Sequence, residues 1–504
     1  MNDLYTVPFY RVLINSASIL KDPLPFHKSN FDKYGDTFGL MLNPKDRILF
    51  TKDAELIKHV LQKDHRNWQK SYLQTHNLAK YLGKGLLTNN GEDWLTQRRL
   101  IQPAFHRKRI QNLLDTMQSS INESIARLVP GDQDIYEFTS HLAFEVVGRT
   151  LFSSTDLDEK IAKLRQITEE AQMMVIKEMR RPYLSWYYNA SGAIKKHIAL
   201  AQEGRGLLQE LIQERIDSKE PQDDLLQLLI ESEYEDGTRM DMERLIDETM
   251  ILFVAGHETT SNALTFTLQL LAKHPEVQDR ARNEAIRLMH PASAEQMDVV
   301  SPVGCPMHNG AGGTETLSRK RETSLSSQSA AVEASNVGSS TVKPDTHDNT
   351  KCPVGKLKSD PLTLIKESKY IQACLEESMR LYPPAYFMDR VSLEEMEFNG
   401  RTYPAGTLLL MSIVELHRDP NHWQDPLKFD PDRFTAGEKH EAYFPFGAGP
   451  RKCIGNNFAM YEMQLAVAGL LSKFQVKPGK DIQHQSLITF KPAHGSVKLE
   501  PLID

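Results

Sequence analysis

Phe446-Gly447-Ala448-Gly449-Pro450-Arg451-Lys452-Cys453-Ile454-Gly455 decides how this chain is read. One Cys stands in a Gly-rich loop, with Arg451 two residues before it and a helical run, Asn457-Phe458-Ala459-Met460-Tyr461-Glu462, behind it. A thiol at the mouth of a helix feels the positive end of the macrodipole and unpaired backbone N–H groups. Both favour the thiolate, the form that binds metal. Gly447, Gly449 and Gly455 remove side chains where a flat ligand would press on the backbone. Arg451 offers a planar donor fork to an anionic edge of such a ligand. The plainer alternative is a buried Cys in a loop that is merely rich in Gly.

The spacing Phe-x-x-Gly-x-Arg-x-Cys-x-Gly is filled at every position and resembles the haem-binding loop of the cytochrome P450 superfamily. The resemblance implies heme b (iron protoporphyrin IX, haem below) as cofactor. It implies Cys453 as the metal ligand, with Phe446, Arg451 and Gly455 against the cofactor. It also implies a mainly α fold with small β-sheets, the haem lying between a long oxygen-binding helix and the Cys loop.

Composition allows this. The chain has 504 residues, 40% hydrophobic and 25% charged, ordinary globular proportions with length for a large core. A formal net charge of -7 argues against nucleic acid as the main partner. Four Cys (Cys305, Cys352, Cys374 and Cys453) do not suggest a disulfide framework and point to a reducing cytosol. The sequence holds no Cys-x-x-Cys and no His-Glu-x-x-His, which leaves little case for zinc. Met1 to Phe26 lacks the pattern of a signal peptide, and the longest apolar run, Met250 to Gly256, is too short to span a bilayer. The expectation is a soluble cytoplasmic monomer of bacterial type, with one catalytic domain over 1–504.

From the N-terminus, Phe38 to Leu42 and Arg47 to Thr51 read as two strands, and Asp53 opens a helix with Leu56, Ile57, Val60 and Leu61 on one face. Gly83 and Gly85 form a loop able to hinge. On the following helix Trp94 and Arg98 lie at i and i+4. Alone they are a surface aromatic–guanidinium stack; by the resemblance they face the haem propionates. His106-Arg107-Lys108-Arg109 is a solvated basic face, or a surface that steers an acidic electron donor. Ile110 to Glu235 reads as successive helices with breaks at Pro130-Gly131-Asp132 and Ser218 to Pro221, and carries no chemistry legible from spacing.

Glu243 to His274 is a long helical pattern containing Ala255-Gly256-His257-Glu258-Thr259-Thr260. Gly and two Thr inside a helix are locally unfavourable, Gly by about 1 kcal/mol against Ala. Either Gly256 makes room for a neighbouring helix or the segment does chemistry. It resembles the superfamily's acid–alcohol pair, which implies a dioxygen groove with Thr259 supplying a hydroxyl and Glu258 relaying protons. Val277 to Met289 begins another helix, and 291–355 then turns rich in Ser, Thr, Gly and Asn, a low-complexity, disordered insertion. Its two Cys-Pro pairs, Cys305-Pro306 and Cys352-Pro353, are either regulatory haem ligands or free thiols of a tolerated linker.

Glu377 and Arg380 lie one helical turn apart and precede Leu381-Tyr382-Pro383-Pro384. An exposed pair of this kind contributes a few tenths of a kcal/mol at most. The segment resembles the family's Glu-x-x-Arg helix, which implies a buried network closed by Arg433. The resemblance further implies that Ala385 to Arg390 passes over the haem, with Arg390 on a propionate. Substrate contacts are then expected from Ala255, Tyr386, Phe387, Met388 and, at a turn on the far side, Thr489.

Together these imply a haem-thiolate monooxygenase inserting one oxygen atom of O2 into a C–H bond, with a fatty acid or other long apolar molecule as substrate. Oxidative O-demethylation of a methylated sugar such as 6-O-methyl-galactose is the alternative chemistry. A peroxide-driven enzyme and a non-catalytic haem sensor are rivals, both disfavoured by the Glu258–Thr259 pair. The short stretch after the Cys helix leaves no room for a flavin domain, so a ferredoxin and ferredoxin reductase are expected to deliver electrons from NAD(P)H.

Overall fold

The computed structural model describes residues 4–43, 46–153, 158–218, 221–289, 360–437, 440–493 and 495–502. The insertion read at 291–355, with both Cys-Pro pairs, lies outside the described residues. The chain is mainly helical. The helices used below are α1 (Gly91–Ile101), α2 (Arg107–Ala126), α3 (Ile135–Phe152), α4 (Asp158–Arg180), α5 (Ala193–Ser218), α6 (Met242–Lys273), α7 (Pro275–Met289), α8 (Lys369–Leu381) and α9 (Asn456–Leu471). Their apolar stripes meet in one large core, where α6 packs on α3 and α8, and α9 on α2 and α7.

Helix α6 starts where Asp241 accepts the Arg244 N–H at 2.8 Å, a side-chain N-cap. It stops before Pro275, which has no N–H to continue the ladder and instead begins α7 at a first-turn position. A Cβ on Gly256 would lie 3.1 Å from Val147 on α3, so that glycine does let the two helices approach.

The strands are β1 (Thr6–Val7), β2 (Thr37–Met41), β3 (Arg47–Thr51), β4 (Trp68–Gln69), β5 (Gly131–Asp134), β6 (Phe387–Ser392), β7 (Met396–Phe398), β8 (Arg401–Tyr403), β9 (Leu408–Ser412), β10 (Phe474–Pro478), β11 (His484–Ser486), β12 (Phe490–Pro492) and β13 (Ser496–Pro501). A six-stranded sheet runs β1-β2-β3-β9-β6-β4, and small sheets β10-β13-β5, β11-β12 and β7-β8 complete the fold. The break read at Pro130-Gly131-Asp132 is more than a turn: Gly131 to Asp134 pairs antiparallel with β13, a partner more than 360 residues away that no local pattern reveals.

Gly83 and Gly85 let the loop read as able to hinge lie close against α6. Gly83 has φ +86°, and a Cβ there would fall 2.0 Å from Asp247 Oδ1 on α6; one on Gly85 would fall 2.9 Å from Glu248 Oε2. The loop is pressed onto the two carboxylates, which accept the Lys84 N–H (2.8 Å) and Leu86 N–H (3.0 Å). Among the described residues no helix is long and apolar enough to cross a membrane.

Candidate active site

Cys453 follows a tight turn, Gly449–Arg451, and its N–H donates to Phe446 O at 2.9 Å. Gly449, at φ +68°, lies against the chain at Leu61: a Cβ there would sit 1.9 Å from Leu61 O. Gly455 differs, since its nearest neighbour would be Phe105 Cε1 at 3.9 Å. Its bare backbone fronts a cavity of about 400 Å³ between α6 and the Cys loop, and Cys453 opens onto the same space. Burial pushes the Cys453 thiol up, opposed by the Gly455 N–H and by the charges of Arg98 and Lys452.

One wall of this cavity is strongly cationic. Arg98, Arg390, Arg451 and Lys70 all line it. Burial lowers Arg390 and brings Arg451 down to about 10, Arg390 adding to the latter by like-charge repulsion. Burial, then Arg390 and Arg451, hold the Lys70 ammonium well below its ordinary value, while it donates to Leu86 O (2.6 Å) and Asn89 O (3.0 Å). Asp389 offsets Arg390 and, with Glu248, Lys70, but these two carboxylates face four cations, and the excess positive charge is one that an anionic ligand relieves. A thiol on one face, an uncovered glycine backbone and this cationic rim fit a flat ligand with acidic groups at one edge.

Trp94 is buried, and the cation over its ring is Arg451, at 4.9 Å, rather than Arg98. Arg98 Nε instead donates to Gln102 Oε1 at 3.2 Å. The surface stack of Trp94 with Arg98 is therefore replaced by an internal one, because the Cys loop folds back and brings Arg451 to Trp94. Arg451 also donates to Trp68 O at 2.9 Å.

The Glu377–Arg380 pair is wholly buried and bidentate, at 2.6 and 2.8 Å. Arg433 Nε lies 3.4 Å from the same carboxylate. Arg380 also donates to His417 O at 2.6 Å, and the His417 imidazole accepts the Phe444 N–H at 2.9 Å, two residues before Phe446. This chain of bonds ties α8 to the segment that presents Cys453. His417 had no motif to mark it.

On the opposite face, Thr259 Oγ1 donates to Ala255 O at 2.8 Å, the back-bond by which a helical Thr satisfies itself and loosens the local ladder. The Glu258 carboxylate does not meet Thr259. Gln172 Nε2 of α4 donates to both its oxygens at 2.7 Å, and Thr489 Oγ1 to Oε1 at 2.7 Å. Asn262 Nδ2 in turn donates to Thr489 at 3.1 Å. Lys491 stands close by: burial lowers it, but Tyr136, Glu258 and Glu169 together raise it.

These groups border a second cavity of about 430 Å³, whose walls include Ala255, Glu258, Thr259, Tyr386, Phe387 and Thr489. Ala255, Thr259 and Phe387 line both cavities, so the two adjoin. Met388 lines only the Cys453 cavity, beside Gly447, whose added Cβ would lie 3.5 Å from its Sδ. Strand parity is the reason: along β6, Asp389 faces the second cavity while Met388 and Arg390 face the first. Tyr386 presents its ring, its hydroxyl being spent on Leu487 O at 2.6 Å. Thr489 orients Glu258, a duty the sequence reading did not give it.

The family model for Cytochrome P450 matches residues 6–301 and 349–499. The chain belongs to the cytochrome P450 family. It is a P450 monooxygenase, and its cofactor is heme b, which Cys453 would ligate and Arg98, Arg390, Arg451 and Trp94 would hold by the acidic edge. The stretch passed over by the match, 302–348, falls within the segment read as an insertion. A cytokinin hydroxylase of Arabidopsis thaliana is 29% identical over 500 residues, covering 95% of this chain and 83% of that protein. An echinocystic acid 23-monooxygenase of Saponaria officinalis is 28% identical over 528 residues, covering 96% and 87%. A probable cytochrome P450 4s3 of Drosophila melanogaster is 27% identical over 495 residues, covering 90% and 83%. These relatives are from plants and an insect, so the expectation of a bacterial type is not borne out.

Proposed function

We propose that this P450 hydroxylates a fatty acid or another long apolar molecule. The observation that carries the reading is the second cavity: it adjoins Thr259, and its outer walls are Val12, Ile19, Leu40, Ile48 and Phe50. The Arabidopsis and Saponaria relatives, named for a hydroxylation and a monooxygenation, agree with the reaction class. Such walls favour a hydrocarbon chain over a hydroxyl-rich sugar, and this weighs against demethylation of 6-O-methyl-galactose, while Gln74, Glu169, Gln172, Arg180 and Lys491 make other parts of the lining polar.

Haem supplies the activation of dioxygen. The chain's own residues then bind substrate, exclude water and handle protons. The Thr259 hydroxyl gives up its bond to Ala255 O to donate into the oxygen groove. Glu258, released from Gln172 and Thr489, rotates toward Thr259 and returns the proton, while Lys491 and Glu169 replenish it. Ala255, Tyr386 and Phe387 shape the substrate's approach, and Met388 packs on the cofactor side. Glu377, Arg380 and Arg433 hold the segment that presents Cys453.

Electrons come, in this reading, from a ferredoxin and its reductase. A basic concavity of about 720 Å³, walled by Arg99, His106, Lys108 and Arg109, supports an acidic donor. Its lining residues Pro103 and His106 flank Phe105, the side chain nearest a Cβ on Gly455 of the Cys loop. A cytoplasmic setting belongs to the same reading and rests on the sparse cysteines. The test is the Soret band of the ferric protein, titrated with dodecanoate and with 6-O-methyl-galactose. A saturable high-spin shift with dodecanoate alone is expected; a shift with the sugar alone would replace hydroxylation by demethylation.

A further inference from the structure

The apolar cavity contains one cation whose partners are all neutral. Arg180, the last residue of α4, lines it and donates from Nη1 to Leu20 O at 2.7 Å, and from Nη2 to Tyr386 Oη and Leu487 O, both at 3.4 Å. Among the described residues no carboxylate lies within 4.0 Å of it. Asp22 is engaged instead by Ser486 Oγ (2.8 Å), the Leu24 N–H (3.1 Å) and His484 (3.6 Å). One short bond and two long ones, all to neutral oxygens, engage three of the guanidinium's five N–H donors and leave its charge without a paired carboxylate at the cavity wall. A planar donor fork in that setting matches a carboxylate.

We propose that Arg180 anchors a carboxylate of the substrate, so that the enzyme takes long-chain carboxylic acids and oxidises them far from the acid group. The inference rests on the hydroxylase reading above and adds the head group and the position of attack. Gln172, which holds Glu258 beside the oxygen groove, is eight residues back along the same helix, and at 1.5 Å per residue the two sites are roughly 12 Å apart. An extended alkyl chain covers that span in roughly ten carbons, given C–C bonds of about 1.5 Å at tetrahedral angles. Acids shorter than this cannot reach both ends. Lys491 is the competing cation, but it already faces Glu258 and Glu169.

The experiment compares dodecanoate with 1-dodecanol by Soret titration of the holoenzyme, in wild type, R180Q, R180K and K491Q. Wild type is expected to bind the acid at least tenfold more tightly than the alcohol, and octanoate far more weakly than dodecanoate. R180Q should bring the acid-to-alcohol ratio within about threefold of unity while leaving alcohol affinity unchanged, which shows the cavity intact. R180K, which keeps the charge, should retain the preference. A wild-type ratio near unity, a preference that survives R180Q, or one abolished by K491Q instead would overturn the anchor and leave the hydroxylase reading standing. Failure of both ligands to shift wild type would overturn that reading itself.

Discussion

Replacing Gly455 by Ala isolates the claim that a flat cofactor presses on the Cys loop. The residue sits at φ -88°, which any residue adopts, and a Cβ there meets no protein atom closer than 3.9 Å. It is the N-cap of α9, where Ala is worse than Gly by up to about 1 kcal/mol. A stiffer unfolded chain returns about 0.4–1 kcal/mol. The apoprotein should therefore keep its stability to within about 1 kcal/mol. Gly449→Ala is the contrast: its Cβ would lie 1.9 Å from a backbone oxygen, at a φ of +68° that costs Ala about 1–2 kcal/mol before any clash. Urea unfolding of apoprotein, followed by haem titration, separates the two. Gly455→Ala should unfold like wild type yet bind haem at least tenfold more weakly, whereas Gly449→Ala should lose stability even without haem. Wild-type haem affinity in Gly455→Ala would refute the contact.

Thr489→Val removes one of two donors to Glu258; one net hydrogen bond is about 1 kcal/mol, so the rate of product formation should change by about fivefold, with an altered solvent isotope effect, while dodecanoate affinity barely moves. Thr489→Ser should restore both, and an unchanged isotope effect in Thr489→Val would count against the relay. Glu377→Gln leaves the Arg380 charge buried and unpaired, an expected loss of about 3–5 kcal/mol in urea unfolding; a loss below about 1 kcal/mol would contradict its structural role. His257 is held at about 3 by burial, then by Arg165 and Lys491, below an unfolded value of about 6.5. The unfolded chain therefore takes up the proton first, and the stability His257 contributes is present above that value and lost as pH falls. Relative to His257→Gln, wild type should lose about 1.4 kcal/mol between pH 7.5 and 5.5; a constant difference would refute the assignment.

Much of the site was legible because its motifs are local. Cys453 with its glycines, Glu258-Thr259 and Glu377-x-x-Arg380 each lie within a few residues, and their order along the chain matched one family. What stayed hidden is made by contacts across the fold. Gln172 meets Glu258 over 86 positions and Thr489 meets it over 231. Nothing in the helical stretch containing Gln172 distinguishes it from neighbouring polar residues. Lys70 looks like a surface lysine until the loop at Leu86 and Asn89 closes over it. Met388 is different, since strand alternation beside Arg390 could have placed it on the cofactor side without a structure. The Trp94–Arg98 spacing was a true helical periodicity, but the stacking partner came from the far end of the chain.

The most direct test is to supply the holoenzyme with dodecanoate, ferredoxin, ferredoxin reductase and NADPH under ¹⁸O₂, and to measure label in the product by mass spectrometry. One ¹⁸O atom per hydroxylated molecule, on a carbon roughly ten or more from the carboxylate, is the predicted result. Product oxygen drawn from water, or NADPH consumed to peroxide with no oxygenated acid, would contradict it.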